Sequence, residues 1–205
     1  RREYEWLGLL DALEEDRRQR ALTGESKMIP SRGLEGLQIP TPENVPIALT
    51  DLEHTRTSYM LSKLYGEAMC HQSGLPFTIV RPHNIYGPRM GMVHVLPELI
   101  RKAKALPQDA RFEVDSVDHR LAFCFIDDAV DAIFLALKSK KSNGEIFNIG
   151  SGKAIKIKKA INIIHQIIAM GTINFGKIKY RKDENMSLYP NINKAASRLK
   201  WKPKI

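Results

Sequence analysis

The chain is short of cysteine, of aromatic residues and of long apolar runs, and each shortage argues against a class of protein. Its only cysteines, Cys70 and Cys124, stand far apart without metal-ligand spacing. A disulfide framework is therefore not expected, and both are read as reduced thiols that fill the core. No apolar run approaches the roughly 20 residues of a membrane-spanning helix, and no basic start leads into an apolar core and a small-residue cleavage site. The corresponding expectations are no membrane contact and a cytoplasmic location. The 6 histidines show no HExxH pairing or other zinc spacing, so no metal site is expected. Acidic residues are scarce in the last third. From Lys138 to Ile205 there are 16 basic and 3 acidic residues, +13, so the preceding 137 residues carry −4 of the net +9. Such asymmetry favours an anionic partner: a nucleic acid, a phosphorylated small molecule or an acidic protein surface. Alternatively, these lysines only solvate helix faces. The lysine-rich segments hold few aromatics and no recognisable reader motif, which argues against nucleic acid.

What is present is an ordinary soluble composition, 43% apolar in 205 residues, enough for one sizeable core or two small ones. The chain begins with Arg rather than Met, so it is expected to be a processed or truncated piece. The opening RREYEWLGLLDALEEDRRQRAL spaces Trp6, Leu9, Leu10 and Leu13 as an amphipathic helix. A Gly-, Pro-, Ser- and Asn-rich stretch from Thr23 to Pro46 then marks a boundary. Beyond it, helix and strand alternate. A helix is predicted over Thr55–Gln72, a buried strand over Leu75–Arg81 and a turn-rich loop over PHNIYGPRMG. A helix near Val93–Ala105 and a strand over Arg120–Ile126 follow. Asp127 or Asp128 can cap the next helix, in which Val130, Ile133, Phe134 and Leu137 fall at i, i+3, i+4 and i+7. EIFNIG reads as a strand. Lys156–Met170 reads as a helix with Ile157, Ala160, Ile161, Ile164 and Ile168 on one face, KIKYR as a short strand and NKAASRLKW as a last helix. This order predicts an α/β layer structure with a largely parallel sheet.

Tyr59 and Lys63, in TSYMLSKLYGEAM, lie four residues apart. On a helix they share one face and can meet one ligand. A phenol with a pKa near 10 is a poor base at neutral pH, but an adjacent ammonium stabilises the phenolate. The same ammonium can hold a ribose hydroxyl. In a lysine-rich chain the pair alone is a weak signal, and context has to decide.

That context is IPTPENVP ahead of SYMLSKLYGEAM, then RPHNIYGPRMG, RLAFCFIDDAVDAI, NIGSG and NKAASRLKWKPKI. In this order and spacing the blocks resemble the extended short-chain dehydrogenase/reductase family, in particular its NAD-dependent nucleotide-sugar epimerases and dehydratases. The likeness covers about Ser31 to Ile205. It implies a partial Rossmann-like doubly wound sheet that lacks its N-terminal glycine-rich half, with a small α+β substrate-binding region. Residues 1–30 would be a helix and linker, 31–90 the C-terminal part of the Rossmann-like domain, and 91–205 mainly substrate-binding. The strand and helix near 120–138 would return to the core.

By that resemblance NAD takes hydride from a sugar carbon while Tyr59 removes the hydroxyl proton, and hydride then returns to the keto-sugar. Lys63 would hold the ribose and modify the phenol. Ser31, in SRGLEG, would bond the substrate oxygen, or is an ordinary loop serine; Glu35 stands where the family usually has Tyr. The backbone around Pro82 would approach the nicotinamide amide. Asn84 would face the diphosphate-sugar or merely support the turn. Arg120 matches a position that pairs with the substrate diphosphate, a geometry suited to guanidinium. Arg89 does the same or only solvates its loop. Leu188, Tyr189 and Asn191 depart from the Arg and Pro-Asp text expected near the C-terminus. A homodimer through the Tyr59 helix is implied as well.

Gly150 and Gly152, in GSGKAI, are no dinucleotide fingerprint, because Ile155 takes the third glycine position and no full βαβ unit follows. A glycine-rich turn for the NAD pyrophosphate is missing before Ser31. The expectation is the C-terminal portion of a nucleotide-sugar epimerase, either active or, as an isolated chain, inactive. Arg32 and Gly33 replace the Asp-Glu pair usual in 4,6-dehydratases. A UDP-glucuronate decarboxylase, a 4,6-dehydratase and a non-catalytic basic binding module remain as alternatives.

Overall fold

The computed structural model describes residues 38–45, 52–53, 57–92, 94–105, 107, 112–114, 118–168, 173–175 and 187–205. The expected helix over 1–22, Ser31 and the strand expected at KIKYR lie outside them. The first helix, α1 (Thr57–Gln72), ends where Ser73 donates its backbone N–H and its hydroxyl to the Cys70 carbonyl. Strands β1 (Thr78–Pro82) and β2 (Ile85–Tyr86) follow, then α2 (Val95–Ala105) and β3 (Phe112–Val114).

The strand expected over Arg120–Ile126 is two: β4 (Arg120–Leu121) and β5 (Cys124–Phe125). The cause is pairing. Arg120 and Leu121 bond to one sheet, whereas Cys124 and Phe125 lie opposite Ile85 and Tyr86 in another. Ala122 and Phe123 carry the chain between them. Next come α3 (Ile126–Lys138), a 3-10 turn at Lys140–Ser142, β6 (Glu145–Ile149), β7 (Ile155–Lys156) and α4 (Ile157–Ile168). Strands β8 (Ile173–Phe175) and β9 (Ser187–Leu188) precede α5 (Asn193–Arg198).

Among the described residues the strand pairs β1·β6, β2·β5, β3·β8 and β4·β9 are parallel and β4·β7 is antiparallel. The largely parallel expectation therefore holds in short pairs rather than in one broad sheet. The β1·β6 pair is the longest, from Thr78 opposite Glu145 to Pro82 opposite Ile149. Side chains alternate across a strand. Val80 and Phe147 accordingly share the face that meets α3, while Arg81 and Asn148 share the other.

Two apolar clusters hold these elements. One joins Ala129, Ala132 and Ala136 of α3 to Phe147 and Ile149, with Cys124, Leu199 and Trp201. The second packs Leu99 and Ala103 of α2 against Ile157, Ile161 and Ile164 of α4, with Leu121 below. The buried row predicted for α4 is thus the observed one. Burying a side chain the size of Phe147 contributes about 1.5–3 kcal/mol relative to exposure.

The apolar row on α3 does the opposite. Val130, Ile133, Phe134 and Leu137 are exposed, Leu137 to 81%, and the buried face is Asp128 with three alanines. Small side chains allow the helix close to the sheet, so packing overrides the larger apolar stripe. The Lys138 ammonium covers part of it, 4.1 Å from the Phe134 ring centre. Neither acid caps α3 through its side chain: the residue before the helix is Phe125. Asp128 instead turns to the end of the chain. Its Oδ1 accepts from Lys204 N at 2.9 Å, its Oδ2 from Ile205 N at 3.1 Å, and its carbonyl from Trp201 Nε1 at 2.9 Å.

Candidate functional site

α1 carries the Tyr59 and Lys63 pair and buries little of itself, Thr57 being its one buried residue. Tyr59 is 43% exposed, and the Lys63 ammonium sits over its ring, 5.3 Å from the centre. The i, i+4 spacing has therefore brought cation and phenol together on an open face, within the range of a cation–π contact. Leu61, Tyr65 and Met69 are exposed as well, a second row at i, i+4 and i+8.

The segment after β1 holds the next two expected residues. Pro82 closes the strand, and Asn84 follows at φ 43°, exposed, its carbonyl accepting from Cys124 N at 3.2 Å. The turn reading of Asn84 is thus met by its backbone while its side chain stays open to solvent. Gly87 is required here: at φ 154° it tolerates little else, and a Cβ would stand 2.5 Å from Ile126 Cγ2. Arg89, at φ 65°, faces an open hollow of about 540 Å³ that it shares with Met90, Met92, Ile100, Arg101 and Lys104. Arg120 is exposed on β4, opposite Lys156 of β7 and Ser187 of β9. Among the described residues neither Arg89 nor Arg120 forms an ion pair, so both guanidinium groups are available to an anion. Lys156, by contrast, pairs with Asp118 at 2.8 Å. Among the described residues no three of His, Cys, Asp and Glu gather as a metal would need, and no helix is long and apolar enough to cross a membrane.

A polar network that the sequence reading missed lies under these residues. Arg81 grips Glu67 of α1 in a fork, Nε to Oε1 at 2.8 Å and Nη2 to Oε2 at 2.6 Å. Its third contact runs from Nη1 to the Glu43 carbonyl at 3.1 Å. The Glu43 carboxylate accepts from Asn148 N at 3.0 Å, and the Asn148 amide donates to the Thr41 carbonyl at 3.0 Å. The Arg81 hydrogen bond holds the Glu67 carboxyl below its ordinary range, against burial, and the same bond raises Arg81. His83, next along, is pulled down by burial, with Arg81 adding to the effect and a bond to Asn148 opposing it. The signal was there to be read: Arg81 is the one charge in the apolar LPFTIVR, and a charge in a packed strand needs a partner. The core reading holds for one of the two thiols. Both cysteines are free, but Cys70 is only half-buried on α1, whereas burial pushes Cys124 up to about 11, an unreactive core group.

Gly150, rejected as a nucleotide fingerprint, has a steric role. A Cβ there would stand 2.7 Å from Pro190 Cγ and 3.4 Å from His83 Cβ.

Residues 7–150 match the NAD dependent epimerase/dehydratase family. The chain is 38% identical over 118 residues to the UDP-N-acetyl-alpha-D-glucosaminuronate decarboxylase of Bacillus cytotoxicus, covering 55% of this chain and 36% of that protein. It is 31% identical over 175 residues to a putative UDP-glucose 4-epimerase of Methanocaldococcus jannaschii, covering 82% and 53%. Among solved structures, the Bordetella bronchiseptica enzyme WbmG, in complex with NAD and UDP, superposes with a TM-score of 0.66 at 24% identity, over 82% of this chain and 50% of that one. The fold is that of the Rossmann-type short-chain dehydrogenases. The chain spans about a third to a half of the length of these relatives.

Proposed function

The chain belongs to the NAD dependent epimerase/dehydratase family, and from that premise we propose that it is the substrate-side portion of an NAD-dependent nucleotide-sugar epimerase. The observation that carries this reading is the Tyr59–Lys63 pair, with the ammonium 5.3 Å from the centre of the tyrosine ring on one open helix face. Tyr59 takes the proton of a sugar hydroxyl, and Lys63 holds a ribose hydroxyl. Arg120 and Arg89, both exposed and without an ion pair among the described residues, bind the diphosphate, and Asn84 offers its amide to the same ligand. NAD would supply the hydride acceptor and donor, and Tyr59, Lys63 and the backbone at Pro82 would hold its nicotinamide end. The described residues supply no glycine-rich turn for its pyrophosphate, so a complete cofactor site needs more polypeptide than they contain. Ser31 is assigned the substrate hydrogen bond on sequence alone.

A second reading is a decarboxylase of the same family, favoured by the 38% identity to the Bacillus cytotoxicus decarboxylase. The exposed row of Leu61, Tyr65 and Met69 also supports pairing of two copies through α1.

Titration calorimetry of the purified chain with UDP-glucose, UDP-glucuronic acid and NAD tests the proposal. Binding of either sugar nucleotide, weakened at least tenfold in Arg120→Ala, is expected. Release of carbon dioxide from the glucuronate would select the decarboxylase. Salt-sensitive binding to random oligonucleotides with no affinity for either sugar nucleotide would refute both and favour a basic binding module.

A further inference from the structure

Tyr59, Lys63 and Glu67 stand at i, i+4 and i+8 on α1, each four-residue step advancing about 40° around the axis. All three lie within roughly a quarter turn of one another. The last of them is gripped by Arg81, one residue before Pro82 and three before Asn84. We infer that the Arg81–Glu67 fork is a positioning device, which sets the rotation and height of the Tyr59–Lys63 face against the loop that carries Asn84. The inference rests on the proposed function for its chemical meaning, though not for its geometry.

Three observations support it. α1 has little apolar anchorage, since only Thr57 is buried and Leu61, Tyr65 and Met69 face outward. Among the described residues its links to β1 and the residues just before it include this fork and the edge-on contact of His71 with Phe77, 4.8 Å between ring centres. A single aromatic contact near the end of a helix leaves rotation about the axis free, whereas a planar two-bond fork fixes direction as well as distance. The pair is also placed to matter: both side chains are 22% exposed, so solvent screens them less than a surface pair.

Arg81 reaches further than α1. Its third contact, to the Glu43 carbonyl, ties in the segment that precedes the helix in sequence, and Glu43 is itself held by Asn148 of β6. One guanidinium thus joins the chain before α1, the face of α1 and the strand that leads to Asn84. Among the described residues, Glu67 is the acid and Glu43 the backbone acceptor bonded to it. A lysine at this position would keep the charge but could not serve the fork and the carbonyl together.

The test uses Arg81→Lys and Glu67→Gln in the full chain. Hydrogen exchange is followed by mass spectrometry on peptides from α1 and β6, and kcat and KM are measured with NAD and UDP-glucose. Exchange in α1 is expected to rise at least tenfold in either variant with β6 unchanged. kcat should fall on the order of a hundredfold while KM stays within about twofold, because misplacing a reacting group costs rate rather than binding. Glu67→Gln leaves the strand untouched, so it decides the matter if Arg81→Lys loosens β6 too. Unchanged exchange in α1, or faster exchange with unchanged kcat, would overturn the positioning role. If the unmodified chain shows no turnover, the exchange data alone decide: faster α1 exchange in both variants with β6 unchanged keeps the fork, and unchanged α1 exchange overturns it.

Discussion

Replacing Asp128 by Ala should loosen the end of the chain without unfolding its core. Asp128 is 2% exposed, and its two carboxylate oxygens accept the backbone N–H groups of Lys204 and Ile205 at 2.9 and 3.1 Å. Hydrogen bonds to a charged acceptor contribute about 1.5–3 kcal/mol each. Both donors belong to exposed residues, so water satisfies them once released, and removing a buried charge recovers part of its desolvation cost. The lower end applies: about 2–3 kcal/mol for the pair. For a chain of this size each kcal/mol moves Tm by about 2–4 °C, so the loss is about 4–12 °C. Asp128→Asn keeps one acceptor and should cost about half as much. Trp201 donates to the main-chain carbonyl of residue 128, at 2.9 Å, and its fluorescence below the transition should therefore be unchanged. Calorimetric melting and carboxypeptidase digestion measure both parts. A Tm within about 1 °C of the parent, with the last residues equally resistant, would refute the clamp.

Acid should undo the link between α1 and β1. The Glu67 carboxyl is held below its ordinary value, chiefly by the Arg81 hydrogen bond. Its contribution is therefore present above the unfolded carboxylate pKa, about 4.3, and is lost as pH falls through the lower folded value. Melting between pH 6 and 3 should fall less steeply in Glu67→Gln than in the parent, and parallel curves would contradict this. Pairing through α1 predicts that Tyr65→Glu, on an exposed site, shifts sedimentation from dimer to monomer with little change in melting. A parent that sediments as a monomer at all concentrations would end that reading.

Much of the alternation was legible because strong local signals coincide with packing. α4 reads correctly since its isoleucine row is also its buried face. α3 shows where such reading stops: its helical period is plain, but the face that packs is chosen by the alanines that fit against Val80 and Phe147, and size complementarity across elements is not written in one segment. The split of Arg120–Ile126 into two strands has a similar origin, because its halves answer to partners far away in the chain. Asp128 was recognised as an acid at a helix start, while its true partners sit more than seventy positions later. At the site, the spacing of Tyr59 and Lys63 translated directly into contact. Arg81 was visible as an isolated charge, but Glu67 became its partner only through the way α1 lies on β1.

Gly150 makes the tightness of this arrangement concrete. It lies at the crossing of two strands of text, one around His83 and one around Pro190, with no volume left for even a methyl group beside the proline ring. A side chain acquired there would collide with the proline ring while only touching His83. The segment leading into α5 can therefore lie this close to the end of β6 only while that position stays bare, and any substitution has to displace Pro190 first.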